Sequence, residues 1–230
     1  MSLKVGIVGA AGYAGAELIR LVLGHPEFEL VAITSNADAG QPLSAVYPSF
    51  TGVSDLVFTT HDAPELKNCD AVFLAVPHTA AMAQVPALLA AGVSCIDLSA
   101  DYRLSDPATF EAWYAAEHTS PELLKTRAFG LPELFSQDLE TAASDHADGK
   151  PVLVACAGCY PTATSLAAAP AVRAGWVAEN GPVIVDAISG VTGAGKSCNA
   201  RTHFCSADEN LEPTAWVSIA TRPRLSKSLA

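Results

Sequence analysis

The chain has 230 residues, half of them hydrophobic, and its formal net charge is −11. This composition is that of a globular protein with a sizeable core, and the lack of a basic stretch argues against nucleic acid as the main partner. No apolar run approaches the roughly 20 residues that cross a membrane, and no signal peptide is predicted. Six scattered cysteines without metal-ligand spacing favour a reducing, cytoplasmic location and predict no metal site.

The first predicted unit is a strand, a glycine turn and a helix. Apolar residues 3–8 lead into the turn, and apolar positions then recur at helical spacing. Glycines at positions 9 and 12 would let the backbone approach a pyrophosphate at the helix N-terminus, while Gly15 would let the helix pack closely on the sheet. A structural turn without a ligand is the alternative. The predicted cofactor contacts are Gly9, Ala10, Ala11, Gly12, Tyr13 and Ala14.

The second predicted strand, residues 28–34, ends without a carboxylate. In NAD-dependent domains an acidic residue near this point binds the ribose 2′-hydroxyl. Ser35 and Asn36 stand there instead, and Asp38 comes later in the chain. We therefore predict NADPH/NADP as the cofactor, with Ser35 and Asn36 as donors to the 2′-phosphate, although no arginine stands beside them.

Later apolar runs alternate with predicted helices. The predicted strands 70–76, 93–98 and 151–155 indicate an α/β, Rossmann-type, doubly wound parallel sheet, followed by the start of a second α/β domain. Pro77 and His78 end the first of these strands and should therefore lie near the cofactor. His78 could be a catalytic base, but a structural turn histidine or a residue lining the nicotinamide pocket is favoured.

Arg103 follows the strand at 93–98. An arginine at a strand's carboxyl end is a candidate clamp for a substrate carboxylate or phosphate, and a surface ion pair with Asp101 or Asp106 is an equal alternative. His118 and His146 have no partners at metal-ligand spacing, so we interpret both as surface residues.

Cys159 lies between an apolar run and a predicted helix, in a turn that contains Gly158. This pattern places the thiol at or just before a helix N-terminus, where backbone N–H groups and the helix dipole favour a thiolate. Cys159 is therefore the predicted nucleophile. Cys156 is expected to point into the packing, and a C-x-x-C redox site is the weaker interpretation.

A predicted strand at 182–188 leads to a glycine-rich loop that begins with Ser189 and Gly190. Residues 190–197 match G-x-x-x-x-G-K-[ST], but a phosphate-binding loop opens a long apolar helix, and the residues after Ser197 do not predict one. We interpret the match as a false positive for ATP. Ser189 and Gly190 are predicted to line the nicotinamide or phosphate pocket.

Several stretches together resemble the N-acetyl-gamma-glutamyl-phosphate reductases of arginine biosynthesis. The resemblance implies NADPH-dependent reduction of N-acetyl-L-glutamyl 5-phosphate to the 5-semialdehyde and phosphate, through a thioester on Cys159, in a homo-oligomer. Tyr160 and Arg103 are the predicted substrate contacts. A related reductase of aspartyl or aminoadipyl phosphate, and an inactive dinucleotide-binding protein, remain alternatives. The stretches that carry the likeness are 9–18, 97–104, 129–134, 158–162, 189–195 and 202–204.

The C-terminal residues depart from that resemblance. Related enzymes carry His-Arg-His soon after the segment that Asn210 and Leu211 resemble, and this chain has no histidine there. Because a shifted reading frame near Glu212 permits a segment close to the family's, we hypothesise a frameshift and expect little or no turnover. The predicted domains are an NADP-binding domain at 1–155, an incomplete catalytic and substrate domain at 156–211, and an aberrant tail at 212–230.

Overall fold

The computed structural model describes residues 2–177 and 183–212, so the predicted tail lies outside the described residues except for Glu212. The chain divides into two compact units, one ending at Ala157 and the other beginning at Gly158. The first unit contains every strand of the sheet. The strands are β1 (Leu3–Val8), β2 (Phe28–Thr34), β3 (Ala71–Leu74), β4 (Ser94–Asp97), β5 (Ala128–Gly130) and β6 (Leu153–Cys156).

All six strands are parallel, and their order is β2-β1-β3-β4-β6-β5. The order reverses between β1 and β3, because the chain leaves β1 towards β2 and then returns to the other side. In doubly wound sheets, ligands bind outside the carboxyl ends of the strands at such a reversal. The predicted Rossmann-type sheet is thus confirmed, and its crevice lies where β1 and β3 end.

Helices follow most of the strands. In α1, residues Gly15, Ile19 and Val22 recur at helical spacing and are buried. Asp106 caps α4 by accepting the N–H groups of the second and third helical residues. No helix in the described ranges is long and apolar enough to span a membrane. The helices are α1 (Tyr13–Leu23), α2 (Leu43–Val46), α3 (Val85–Ala90), α4 (Pro107–Tyr114), α5 (Pro132–Ala147), α6 (Cys159–Arg173) and α7 (Phe204–Ala207).

The core of the first unit consists of two apolar clusters. Ile7 belongs to the cluster that contains Ile19 and Phe58, whereas Val8 belongs to the one that contains Tyr102. Consecutive residues of a strand point to opposite faces of a sheet, so β1 is buried on both faces. This double burial explains the continuous apolar run that predicts β1.

Apolar patterns also predict a short strand at 56–59 and an alanine-rich helix at 79–91, and these two predictions are wrong, as is that of the strand at 182–188 over its described residues. Residues 56–59 make only isolated bridges. The predicted helix at 79–91 is broken into a 3-10 turn (Ala81–Ala83) and α3. Residues 183–188 form no strand within the described part of the chain, and Ile184 is 89% exposed there. A strand needs a neighbour for its backbone hydrogen bonds, and these residues pair with no described strand.

The sequence predicts His118 and His146 to be surface residues, and the structure places neither on the exposed surface. His118 is buried between the rings of Tyr102 and Phe110, and its Nε2 lies 2.9 Å from the carbonyl oxygen of Asp101. His146 is partly buried, with Nδ1 2.8 Å from the hydroxyl of Ser94. Both rings find hydrogen-bond partners inside the unit, which makes their burial tolerable.

Candidate active site

The glycine turn between β1 and α1 is tightly packed at two positions. Gly9 has φ +79°, and a Cβ there would lie 2.3 Å from the carbonyl oxygen of Ala75, the residue that follows β3. A Cβ on Gly15 would lie 2.5 Å from the Cα of Ala10. The fold itself therefore requires glycine at positions 9 and 15, as predicted for the helix–sheet contact at Gly15.

Gly12 is different, because nothing in the protein requires it to be glycine. It has an ordinary φ of −77°, and the nearest atom to a Cβ would be the carbonyl oxygen of Gly9, 3.5 Å away. Gly12 immediately precedes α1, whose first N–H groups have no intrahelical acceptor, and Tyr13 and Ala14 are exposed there. The open space beside these N–H groups fits a closely approaching pyrophosphate.

The end of β2 carries an acid that the sequence did not place there. The hydroxyl of Ser35 donates to Oδ2 of Asp38 over 2.6 Å, which brings the carboxylate back to the end of the strand. Asn36 is exposed, and its side-chain oxygen accepts the N–H of His61 over 2.9 Å. The predicted 2′-phosphate contacts thus stand beside a carboxylate, within a turn that could not be deduced from residue order.

Tyr47 connects this region to the glycine turn, a role that sequence reasoning missed. Its hydroxyl donates to the carbonyl oxygen of Ala11 over 2.7 Å. Burial, followed by the neighbouring Tyr13 and Asp38, raises the pKa of Tyr47. Tyr47 therefore ties the segment 41–52 to the glycine turn, and no local sequence signal identifies this long-range contact.

Pro77 and His78 lie, exposed, just beyond the carboxyl end of β3. Nδ1 of His78 accepts the N–H of Ala100 over 3.2 Å, and its ring contacts Tyr114 edge-on. The first unit thus brings Pro77 and His78 to the same edge of the sheet as the glycine turn.

Arg103 is almost completely buried, so the alternative of a surface ion pair is wrong. Its Nε donates to the carbonyl oxygen of Cys156 over 2.7 Å, and its guanidinium also bonds to the carbonyl oxygen of Leu98. Arg103 therefore ties the residues that end β4 and β6 together. Its predicted contact with substrate remains a prediction.

Asp97 is a buried acid beside Arg103. Burial raises its pKa to about 6, although hydrogen bonds from the side chain and N–H of Ser99 work in the opposite direction. Nearby Asp101 raises the pKa further and Arg103 lowers it. The last residue of β4 is therefore a buried acid whose ionised form is disfavoured by its surroundings.

The cysteines separate into two groups. Burial raises the pKa of Cys69 and Cys156 to about 11 and that of Cys95 to about 12, which keeps these thiols protonated at neutral pH. Cys159 is exposed, as are Cys198 and Cys205. Cys69 and Cys95 are buried and Cys156 is half-buried, so the predicted packing of Cys156 holds only in part.

In the second unit, Cys159 is the first residue of the 15-residue helix α6. Gly158 precedes the helix and provides no capping side chain, and Pro161 in the first turn has no N–H. The N–H groups of Cys159 and Tyr160 therefore lie at an uncapped helix start, beside the thiol. The sequence predicts this helix over residues 162–174, and in the structure it begins three residues earlier, at Cys159, because the turn residues themselves adopt helical geometry.

Ser189 and Gly190 also belong to the second unit and are exposed. The segment continues into a 3-10 helix (Val191–Ala194), and no α-helix follows among the described residues until α7. A phosphate-binding loop opens a long helix, so the structure does not provide the context of an ATP site.

Comparison with known proteins identifies the family. The model of the semialdehyde dehydrogenase NAD binding domain matches residues 4–142. The chain belongs to the semialdehyde dehydrogenase family. The dimerisation domain of the same family matches residues 159–217.

The relatives within this family include N-acetyl-gamma-glutamyl-phosphate reductases. That of Halorhodospira halophila is 43% identical over 99% of this chain and 63% of the relative. That of Herminiimonas arsenicoxydans is 46% identical over 91% of this chain and 58% of the relative. The chain thus spans about three-fifths of the length of these curated relatives.

Solved structures of semialdehyde dehydrogenases share the fold. Aspartate semialdehyde dehydrogenase with NADP from Candida albicans has a TM-score of 0.56 at 19% identity, covering 76% of this chain and 48% of that one. The Vibrio cholerae enzyme complexed with ASA has a TM-score of 0.55 at 14% identity, over 76% of this chain and 47% of that one. At such identities the likeness concerns the fold alone.

Alanine substitutions at Gly12 and Gly9 should separate cofactor binding from stability. We expect Gly12→Ala to abolish NADPH binding while changing the free energy of unfolding by less than about 1 kcal/mol, because only space for ligand is filled. Gly9→Ala should cost more than about 2 kcal/mol, because its Cβ meets backbone. Denaturant unfolding and nucleotide titration measure the two effects; equal destabilisation by both variants would contradict the assignment.

Asp97 predicts a pH-dependent stability. Its folded pKa of about 6 lies above its usual 3.8, so the native state holds the proton more tightly and stability falls as the pH rises from about 4 to 7. The Asp97→Asn variant lacks this titration. The free energy of unfolding of the variant minus that of the parent protein should therefore rise by ~2–3 kcal/mol between about pH 4 and pH 7. Urea unfolding at several pH values measures this, with exposed Asp55→Asn as the control. A difference that does not vary with pH would refute it.

Proposed function

We propose that this chain is an acyl-phosphate reductase of the N-acetyl-gamma-glutamyl-phosphate type. The single observation that carries the proposal is the exposed thiol of Cys159 at the uncapped start of α6, while the thiols of the first unit are buried or half-buried. Its relatives at 41–46% identity bear that name. The substrate would be N-acetyl-L-glutamyl 5-phosphate and the products its 5-semialdehyde and phosphate.

The reaction begins when the Cys159 thiolate attacks the acyl carbon and the C–O bond to phosphate breaks. Phosphate leaves, and a thioester on Cys159 remains. The N–H groups of Cys159 and Tyr160 at the helix start stabilise the oxyanion that develops at the carbonyl. Arg103 and Tyr160 are proposed to contact the substrate, with Ser189 and Gly190 lining its pocket.

The first unit binds the cofactor. NADPH, when bound, supplies the hydride that reduces the thioester carbonyl. The N–H groups that start α1 hold the pyrophosphate, with Gly12 leaving room for it. The hemithioacetal then loses the aldehyde and returns the thiolate of Cys159, a step that needs an acid/base group. Because the chain has no histidine after Leu211, where related enzymes carry His-Arg-His, we expect this last step to be slow and turnover to be low or absent. The family match to a dimerisation domain at 159–217 supports a homo-oligomer.

Cys159 can be tested separately from hydride transfer. Without NADPH, the protein mixed with N-acetylglutamyl phosphate should release phosphate and gain one acyl group on Cys159, because acylation needs no reductant. Intact-mass spectrometry and peptide mapping measure this. Cys159→Ala should remove the adduct, whereas Cys198→Ser and Cys205→Ser, which change other exposed thiols, should retain it.

Aspartyl and aminoadipyl phosphates, assayed in parallel, identify the substrate class. Faster acylation by either would replace the proposed substrate with a related one. Slow iodoacetamide labelling of Cys159, no acylation by any of the three, and intact NADPH binding would instead support the inactive dinucleotide-binding protein.

The position of Asp38 leads to a prediction about the preference for NADPH over NADH. Its carboxylate beside Ser35 should repel a 2′-phosphate, so Asp38→Asn should increase the affinity for NADPH relative to NADH by roughly fivefold. Titration of the nicotinamide fluorescence gives both dissociation constants, and Asp55→Asn is the matched exposed control. An unchanged ratio would show that Asp38 does not face the 2′ position.

A further inference from the structure

The turn that follows β3 contains a residue in an unfavourable conformation. Thr79 has φ +74°, in the left-handed region that β-branched residues rarely adopt. Such a conformation persists only where surrounding contacts enforce it, and it is often found at functional sites. The turn lies at the reversal of strand order, immediately after Pro77 and His78.

The contact that enforces this conformation comes from Asp101. One carboxylate oxygen accepts the N–H of Thr79 over 2.6 Å, and the other accepts the N–H of Met82 over 3.1 Å. The side chain of Asp101 is completely buried. These bonds direct two N–H groups of the turn to a carboxylate, which explains why the predicted helix does not begin at residue 79.

Asp101 is itself fixed in the loop after β4. Its N–H donates to the hydroxyl of Ser99 over 3.1 Å, and its carbonyl oxygen lies 2.9 Å from Nε2 of the buried His118. The carboxylate therefore belongs to a rigid part of the unit. It holds the turn from a neighbouring loop, across 22 residues of sequence.

The same region determines which ring nitrogen of His78 carries the proton. Nδ1 of His78 accepts the N–H of Ala100, the residue next to Asp101. A neutral imidazole that accepts at Nδ1 carries its proton at Nε2, so Nε2 acts as a donor. His78 lies beside β3, on the opposite side of β1 from β2. In doubly wound dinucleotide-binding folds the end of β2 contacts the adenosine ribose and the end of β1 the pyrophosphate, so His78 stands at the strand end expected to lie towards the nicotinamide half.

We propose that Asp101 is a positioning residue that holds the strained turn at Thr79 so that Nε2–H of His78 binds an oxygen of the nicotinamide half of the cofactor. The inference rests on the proposed dinucleotide function. It assigns Asp101 a role in cofactor recognition although its own carboxylate does not touch the ligand.

Binding of two ligands tests the role of His78. His78→Asn should weaken NADPH binding by roughly five- to tenfold, the effect of one lost hydrogen bond. His78→Gln, whose amide can donate from near the Nε2 position, should retain most of the affinity. Binding of 2′,5′-ADP, which lacks the nicotinamide half, should stay unchanged in both variants. His25→Gln, an exposed histidine at the opposite end of β2, is the control.

A rescue experiment tests the role of Asp101. Asp101→Asn should weaken NADPH binding as His78→Asn does, because Thr79 no longer stays left-handed. Adding Thr79→Gly should restore much of the affinity, since glycine adopts this φ without strain. Nitrogen-15 spectra of the histidine side chains should show His78 protonated at Nε2 in the parent protein, mixed in Asp101→Asn, and restored in the double variant.

The outcomes separate the two proposals. Failure of the parent protein to bind both 2′,5′-ADP and NADPH would overturn the dinucleotide function itself. Normal 2′,5′-ADP binding with no effect of His78→Asn on NADPH would overturn only the positioning role. If Asp101→Asn does not fold, the His78 pair and the spectrum of the parent protein still decide, and a proton at Nδ1 of His78 would refute the inference.

Discussion

The candidate site depends on the parallel pairing of β1 with β2 on one side and β3 on the other. This pairing brings three strand ends to one edge, and the close approach of Gly9 to the carbonyl of Ala75 closes the junction without a side chain. The glycine turn, the Ser35–Asp38 pair and His78 then lie at this one edge of the sheet. Each group is ordinary by itself, and the strand order brings them together.

Much of this arrangement could be predicted from the sequence. Buried parallel strands appear in the sequence as continuous apolar runs. The glycine turn can be recognised from its glycines, because positive φ and close backbone contact both require the absence of a Cβ. The helix start at Cys159 was indicated by Gly158 and the apolar run before it. Local constraints of this kind can be recognised in a single sequence.

The missed features are those made by contacts between distant residues. β5 has only three residues and lies between Pro121 and Pro132, so pairing with β6 rather than local preference makes it a strand. Asp38 reaches the end of β2 through the hydroxyl of Ser35, and Arg103 is buried because carbonyl oxygens satisfy its guanidinium. Residue types suggested chemistry at these positions, but only the fold shows which partner each one meets.

The completely buried carboxylate of Asp101 has a consequence for the entropy of ligand binding. Segments beyond strand ends usually move, and a ligand that must immobilise them loses conformational entropy on binding. Here the amides of Thr79 and Met82 are already anchored by Asp101, so folding itself has ordered this turn. A dinucleotide would meet a preorganised surface on that side, and its residence time would depend on the contacts made rather than on the closing of a loop.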